Sequence, residues 1–243
     1  MSTLLHRLTL ALALALTVTT VMAQGEVLEY QQEIGAGVGI SSYIGDAGGG
    51  FMKHPGVMAT VLWRRNFNPR MTLKTNLAYG HISGNTEGIF LPTDPNSHTA
   101  TGGETASLVS FSRNLVDVGA HFELNFLGYG LGAAYKGLHR WTPYMVIGLG
   151  ATLAFGDGGE TVVGMNIPVG LGFRYKVAPR WNVGLEWTVR FTTTDKLDDT
   201  AATTKLDDPY GIESGFLKNK DSYQMLFVSV TYDISPKYRK CNN

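Results

Sequence analysis

The amino-acid sequence predicts an all-β fold, an eight-stranded antiparallel transmembrane β-barrel with up-and-down (meander) connections. The clearest support is the stretch from Val163 to Thr192, where apolar and polar residues alternate along two long segments joined by a short turn. An alternation with a period of two places one set of side chains on each face of a β-strand. Both segments reach the roughly 9 to 11 residues that a tilted strand needs to cross a bilayer. Similar segments recur along the chain.

The N-terminus carries a second observation, an export signal. His6 and Arg7 precede an apolar run from Leu8 to Val21, and Ala23 is the small residue expected before a cleavage site. The run is shorter than the roughly 20 residues of a transmembrane helix, and no later segment is continuously apolar. An exported chain of this type enters a membrane only as a closed barrel, so we expect the cell outer membrane. The expected parts are a cleaved signal peptide (1–23), the barrel (24–234) and a periplasmic C-terminal tail (235–243).

The third observation is the order of strands and connections. The expected strands run from about Tyr30 to Ser42, Gly56 to Asn66, Met71 to Ile82, Leu115 to Phe126, Trp141 to Phe155, Val163 to Val177, Trp181 to Thr192 and Tyr223 to Ile234. Long polar loops (83–114 and 193–221) alternate with short turns (66–70 and 178–180), as in barrels with long outer loops and short periplasmic turns. The connection from Gly128 to Arg140 is long for a periplasmic turn.

Composition excludes some functions. The chain has 20 basic and 20 acidic residues and no net charge, so we expect no nucleic-acid partner. The single cysteine, Cys241, excludes an internal disulfide, and we expect it to be a free thiol on the tail. No motif indicates a cofactor or a metal: the acids around Asp198 and Asp207 lack the pattern of a calcium loop.

Aromatic residues and glycines favour a membrane barrel over a soluble lipocalin-like barrel, which the same alternation would also fit. Aromatics cluster at the proposed periplasmic ends of strands: Trp63, Phe67, Phe126, Tyr129, Trp141, Tyr175, Trp181 and Tyr232. A second set is expected at the outer rim: Tyr43, Tyr79, Phe155, Phe191 and Tyr223. Inward glycines such as Gly172 should make room for longer side chains from other strands. The fifth strand is apolar on both faces, so its inward side is not assigned.

Polar residues on the inward faces are expected to form one network inside the barrel. The members are Lys74, Asp117, His121, Glu123, Arg174, Lys176, Glu186 and Arg190. His121 lies between two carboxylates and could act as a general base. Opposite charges in a narrow interior are more simply explained as pairs that satisfy one another. We therefore expect a non-enzymatic protein without catalytic residues, with a small-solute channel and a lipid-modifying barrel enzyme as alternatives.

Several phrases, taken in order, resemble one family of small outer-membrane barrels from Bacteroidota, the family that includes PorG of the type IX secretion system. Examples are Tyr43-Ile44-Gly45-Asp46, the turn from Arg65 to Arg70, Thr142-Pro143-Tyr144, and Gly184-Leu185-Glu186-Trp187. The resemblance implies a structural protein of protein transport that anchors a periplasmic assembly to the outer membrane. It also implies the periplasmic ring proteins PorK and PorN as partners, in addition to the outer-membrane lipid that any such barrel contacts.

The connection between the fourth and fifth strands is the best candidate for a periplasmic partner surface, because it is longer than a closing turn requires. Its candidate contact residues are Tyr129, Tyr135, Lys136, His139 and Arg140. The alternative is a flexible turn with no partner.

Overall fold

The computed structural model describes residues 29–44, 52–85, 110–131, 137–156, 161–194, 197 and 221–237. The predicted signal peptide, the residues after Lys237 with Cys241, and most of the two long loops lie outside these ranges. The strands are β1 (Glu29–Ile44), β2 (Gly56–Asn68), β3 (Met71–Asn85), β4 (Ser110–Asn125), β5 (Trp141–Phe155), β6 (Val162–Ala178), β7 (Trp181–Thr192) and β8 (Ser222–Lys237). No helix within the described ranges is long and apolar enough to span a membrane.

The eight strands form a closed barrel in which each strand pairs with the next in chain order, and this confirms the predicted fold. All of the pairings are antiparallel. The last strand closes the barrel against the first, with the register running from Glu29 opposite Lys237 to Ile44 opposite Ser222. The start of β1 and the end of β8 therefore lie at the end of the barrel that carries the short turns.

Several strands extend beyond their predicted bounds. The structure continues β3 to Asn85 and begins β4 at Ser110, where the sequence predicts loop. At the other end, β8 continues to Lys237, into the predicted tail. Apart from Phe111 and Pro236, these extensions consist of polar residues and glycine, because they project beyond the apolar belt. The alternation that reveals a strand in sequence is therefore lost there, although the backbone pairing continues.

The outward faces carry the apolar residues of the alternation. Val57, Val163 and Val38 are 77%, 69% and 67% exposed, and large apolar residues on all eight strands are exposed in the same way. A continuous apolar outer surface around a polar interior is the arrangement of an outer-membrane barrel, because only lipid covers such a surface at low cost. The chain is an outer-membrane barrel. In such barrels the short turns are typical of the periplasmic side, so we assign the end with the short turns to the periplasm.

The structure shows which face of β5 points inward, an assignment that the sequence left open. On β5 the side chains of Thr142, Tyr144 and Val146 are buried in the interior, whereas Met145 and Ile147 face outward. Two aromatics expected at the outer rim, Tyr43 and Tyr223, instead point into the barrel and are fully buried. They lie at the outer ends of β1 and β8, as expected, but Tyr43 packs edge-on against Phe111 and the Tyr223 hydroxyl donates to Asp117, so neither ring faces the lipid.

Candidate functional site: the barrel interior and its periplasmic mouth

Six charged side chains form the centre of the interior, which we call the ionic network. Its bases are Arg64, Lys74 and Arg174, and its acids are Glu33, Glu123 and Glu186. They come from six different strands, so each strand contributes one charged side chain to the same space. The three positive and three negative charges allow full compensation.

Glu123 is the acid that contacts all three bases. Arg64 Nε lies 3.1 Å from both carboxylate oxygens of Glu123. Lys74 Nζ approaches the same carboxylate at 3.4 Å and Arg174 Nη1 at 3.7 Å. Because Glu123 is 0% exposed, its charge depends entirely on these partners.

The other two acids, Glu33 and Glu186, also pair with bases of the network. Lys74 Nζ donates to Glu186 at 2.6 Å, and Arg174 Nη1 lies 3.5 Å from Glu33. The hydroxyl of Tyr144 donates to Glu186 Oε2 at 2.9 Å. The Tyr144 ring occupies the space left by Gly172, where an added Cβ would lie 2.2 Å from the ring. The expected use of inward glycines is therefore realised at this position.

A second polar group lies nearer the outer end, around Asp117. Arg190 Nε lies 3.3 Å from Asp117 Oδ1, while Asn166 Nδ2 and the Tyr223 hydroxyl each donate to Oδ2 at 2.7 Å. Thr152 Oγ1 lies 2.7 Å from the same tyrosine hydroxyl. This carboxylate is therefore held by one cation and several neutral donors.

His121 lies on β4 between these two polar groups, as the sequence predicts. It is fully buried, and neither ring nitrogen has a hydrogen-bond partner in the described part of the chain. Gly119 and Gly148 face the ring closely: a Cβ on either would come within 3 Å of it. The barrel wall therefore encloses the ring.

Beyond the ionic network, the outer half of the interior is filled by an apolar cluster. Its members are Tyr43, Met58, Leu62, Ala78, Ile82, Phe111, Leu115, Ala154, Leu197, Tyr223, Met225 and Phe227. Leu197 comes from the connection between β7 and β8, and its N–H donates to Asp221 Oδ2 at 2.8 Å. The hydroxyl of Tyr43 donates to the other oxygen of Asp221. This end of the interior is therefore filled as well.

The periplasmic mouth is covered by a segment we call the periplasmic cap, consisting of Tyr129, Gly130, Leu138 and His139. Tyr129 N donates to Pro69 O at 3.0 Å, Gly130 N to His139 O at 3.0 Å, and His139 N to Gly128 O at 2.7 Å. The cap is therefore hydrogen-bonded both to itself and to the turn between β2 and β3.

Tyr129 points from the cap into the barrel. Its hydroxyl donates to Asn182 Oδ1 at 2.7 Å, and Arg174 lies over its ring at 4.7 Å. Burial raises the pKa of the Tyr129 hydroxyl, although the nearby Arg174 opposes that shift. Asn182 in turn donates to Asp233 at 2.7 Å, and Asp233 accepts from Lys176 at 2.5 Å. The cap is thereby tied to the charged interior.

A cavity of about 180 Å³ remains beside the cap. Its lining includes Tyr30, Phe67, Pro69, Leu138 and Asp233. It is a recess at the mouth, with the ionic network beneath it.

All eight residues expected in the lumen lie inside the barrel, and seven of them form ion pairs there. Sequence reasoning missed other buried charged side chains, among them Glu33, Arg64 and Asp233. The parity of β1 already placed Glu33 on the inward face, so that residue could have been included. Among the partner-surface candidates, Tyr129 is buried, His139 is exposed and Arg140 is half-buried, while Tyr135 and Lys136 lie outside the described residues.

Within the described ranges, no group of three or more His, Cys, Asp or Glu side chains could hold a metal ion. A family model described as "Domain of unknown function (DUF6089)" matches residues 9–243. No curated protein matches the chain.

Solved structures of other barrels resemble it. Ail, the attachment invasion locus protein of Yersinia pestis, is 13% identical with a TM-score of 0.44, over 85% of this chain and 100% of that one. Neisserial surface protein A is 12% identical with a TM-score of 0.47, over 84% and 97%. The N-terminal barrel domain of OprF from Pseudomonas aeruginosa is 11% identical with a TM-score of 0.43, over 85% and 100%.

Proposed function

We propose that this chain, which belongs to the family described as Domain of unknown function (DUF6089), is a sealed, non-enzymatic barrel that anchors a periplasmic assembly to the outer membrane. The family description names no role, so the support comes from the geometry of the chain itself. The observation that carries this proposal is the filled interior. Glu123 and Arg174 are 0% exposed and Lys74 is 1% exposed, so water does not touch the charges at the centre of the barrel. A barrel that passes nothing through its interior acts through its surfaces.

The filled interior argues against a small-solute channel. A conducting pore needs hydrated polar groups along its axis, weakly held so that solutes can leave. Here the bases and acids of the ionic network bind one another, and the apolar cluster fills the space beyond them. Opening a path would require breaking several buried ion pairs, each of which leaves an uncompensated charge.

The same geometry argues against catalysis inside the barrel. A general base must lie within hydrogen-bond reach of a substrate proton. His121 is enclosed on the inner wall, and a Cβ on Gly119 would lie 2.5 Å from its Nε2. No substrate group fits between them.

The periplasmic cap supports the choice of the periplasmic face. Its two ends are fixed by hydrogen bonds to Pro69 and by the bridge between Tyr129 and His139. These contacts fix the described residues on either side of positions 132–136 at the mouth of the barrel. A connection that only closes a hairpin needs neither this length nor the tyrosine inserted into the mouth.

The resemblance to the PorG family suggests the nature of the assembly. In that family the expected partners are the ring proteins PorK and PorN, and the chain would hold such a ring against the membrane. We take these two proteins as the first candidates to test.

The test replaces residues 132–136 with a Gly-Ser sequence of equal length. This change keeps Tyr129, His139 and their bridge, so the cap should remain folded. Membranes from the native host are solubilised in mild detergent, and proteins that co-purify with the tagged barrel are identified by mass spectrometry. We expect PorK and PorN with the wild type and their loss with the replacement.

A matched control carries His54→Ala at the opposite end of the barrel, and it should keep the partners. Planar-bilayer recording of both proteins should show no steady channels. Equal recovery of partners from the replacement, or normal secretion in a strain that lacks the protein, would exclude the anchoring role. Steady open channels in the wild type would exclude the sealed barrel.

A further inference from the structure

Three arginines at the periplasmic end differ from those of the ionic network, because they have no acidic partner. Arg65 and Arg70 are exposed and Arg180 is half-buried. None of the three forms an ion pair with an acid in the described part of the chain, whereas Arg64 and Arg174 each contact at least two. The contacts of these arginines therefore have to be found outside the ion pairs of the described chain.

Arg180 is held against aromatic rings on the outer surface. Its guanidinium lies 4.7 Å from the ring centre of Tyr232 and 5.1 Å from that of Tyr30. Its Nε donates to Asp233 O at 3.3 Å. Trp181 packs edge-on against Tyr232 at 5.0 Å. Stacking and the single backbone bond orient the guanidinium while leaving its terminal nitrogens for another acceptor.

Arg65 has a similar setting on the neighbouring part of the wall. Its guanidinium lies 5.8 Å from the ring centre of Phe67. Arg65 shares the outward face of β2 with Val61, which is 56% exposed. Since β7, β8, β1 and β2 are consecutive around the barrel, the two arginines and their rings lie along one arc of the rim. We call Arg65, Arg180, Tyr30, Phe67 and Tyr232 the arginine arc.

Among the side chains that the structure describes, no acid forms an ion pair with Arg65 or Arg180. Glu33 and Asp233, at the same end of the barrel, point into its interior, are 1% and 2% exposed, and are already paired with interior bases. The outward face above the arc is the apolar surface that lipid covers. The arc therefore adds positive charge at the depth where the apolar belt ends, which is the depth of lipid headgroups.

We propose that the arginine arc is a binding site for anionic phospholipid headgroups of the periplasmic leaflet. The guanidinium groups of Arg65 and Arg180 donate to the lipid phosphates, in the paired geometry that arginine forms with phosphate. The rings of Tyr30, Phe67 and Tyr232 pack against the glycerol region. A lipid is favoured over an acidic protein because Arg65 lies on the outward face of β2, and the guanidinium of Arg180, which belongs to the turn before β7, lies over the rings of Tyr30 and Tyr232 on β1 and β8.

The test measures lipid retention by native mass spectrometry. The detergent-purified barrel is mixed with phosphatidylglycerol and phosphatidylcholine of identical acyl chains, and the bound fraction of each is compared. We expect the wild type to retain phosphatidylglycerol preferentially. Arg65→Gln and Arg180→Gln should each weaken that retention about fivefold, from roughly 1 kcal/mol per basic residue near an anionic surface.

Two controls separate the arc from general electrostatics. Lys53→Gln removes the same charge at the opposite rim, and Arg70→Gln removes it at the same end from a residue against which none of the described aromatic rings lies. Both should retain the wild-type preference. Arg180→Lys keeps the positive charge but lacks the planar guanidinium group, so this variant should lose only part of the preference for phosphatidylglycerol.

Equal retention of the two lipids by the wild type would overturn the proposal. So would an Arg65→Gln/Arg180→Gln variant with unchanged phosphatidylglycerol binding. If that variant binds lipid normally but loses a co-purifying periplasmic protein, the arc is a protein interface, and the lipid site is excluded. These readouts do not depend on whether the barrel anchors an assembly.

Discussion

The two halves of the barrel interior differ in chemistry. Toward the periplasm, ion pairs link the six side chains of the ionic network, while the outer half holds the apolar cluster beside the polar group around Asp117. Each side chain of the apolar cluster is stabilised by its own removal from water, and this contribution depends little on any single neighbour. Charges in the network are stable only while their partners are present. Damage should therefore spread through the network and remain local in the cluster.

The largest effect is expected from Glu123→Leu, which removes the acid shared by three bases. Breaking a buried ion pair by removing one partner typically costs about 3–5 kcal/mol, because the remaining charges stay buried without compensation. The free energy of unfolding in phospholipid vesicles, measured by urea titration, should fall by that amount. Arg64→Met combined with Glu123→Leu should cost less than the sum of the single changes. Strict additivity would mean that the network is not coupled.

A somewhat smaller effect is expected in the apolar cluster. Leu115→Ala should cost about 2–4 kcal/mol, because Leu115 is fully buried and its removal leaves a cavity. Leu149→Ala, on the lipid-facing wall, is the matched control and should cost less, since lipid fills the space that the side chain leaves. The same urea titration gives both values. If Leu115→Ala combined with Met58→Ala departs strongly from additivity, the contrast between the two halves fails.

The third prediction concerns the packing of the network. Gly172→Ala should cost about 1–3 kcal/mol, because its methyl group would overlap the Tyr144 ring and displace that hydroxyl from Glu186. Gly184→Ala is the control: its nearest contact is the tip of Ser229 at 3.0 Å, which can rotate away. A smaller loss is expected for Gly184→Ala in vesicle unfolding. Equal costs would mean that the Tyr144 ring adjusts freely.

The smallest effect is expected at the periplasmic cap. Tyr129→Phe removes the hydrogen bond to Asn182 and should cost about 0.5–1.5 kcal/mol near neutral pH. Because burial raises the pKa of Tyr129 above its ordinary value of 10.0, the wild type should lose stability as pH rises past about 10, where only the unfolded chain ionises this group. The difference between wild type and Tyr129→Phe should therefore narrow above that pH. A constant difference would show that this hydroxyl does not titrate differently in the folded state.

Much of the fold could be predicted, because the outward faces carry an unbroken apolar alternation. The polar interior residues on β4 and β6 were found for the same reason: Asp117, Glu123 and Arg174 alternate with apolar residues on the opposite face of their strands. The apolar cluster was not found, because Leu62, Leu115 and Phe227 are apolar on the inward face and erase the contrast between faces. Arg64 lies beside Arg65, so parity alone did not show which of the two points inward.

The periplasmic cap was misjudged for a different reason. Sequence reasoning placed Tyr129 on an exposed surface, because it lies in a glycine-rich connection outside any strand. Its inward position depends on contacts with Pro69 and Asn182, which are distant in sequence and brought together only by closure of the barrel. Local pattern does not carry information of that kind.

The pairing of β1 with β8 also constrains the order in which the chain can fold. Thr231 donates to Glu33 across 198 positions, so the closing ladder cannot form until the C-terminal strand is available. Until then the growing sheet would present two unpaired edges, which invite aggregation in water and are not tolerated in lipid. Chaperones therefore have to keep the unfolded chain from aggregating before it reaches the membrane. Insertion into the membrane and closure of the barrel should then occur together, as one late step. Deleting β8 would therefore remove the whole barrel from the membrane rather than leave a seven-stranded remnant.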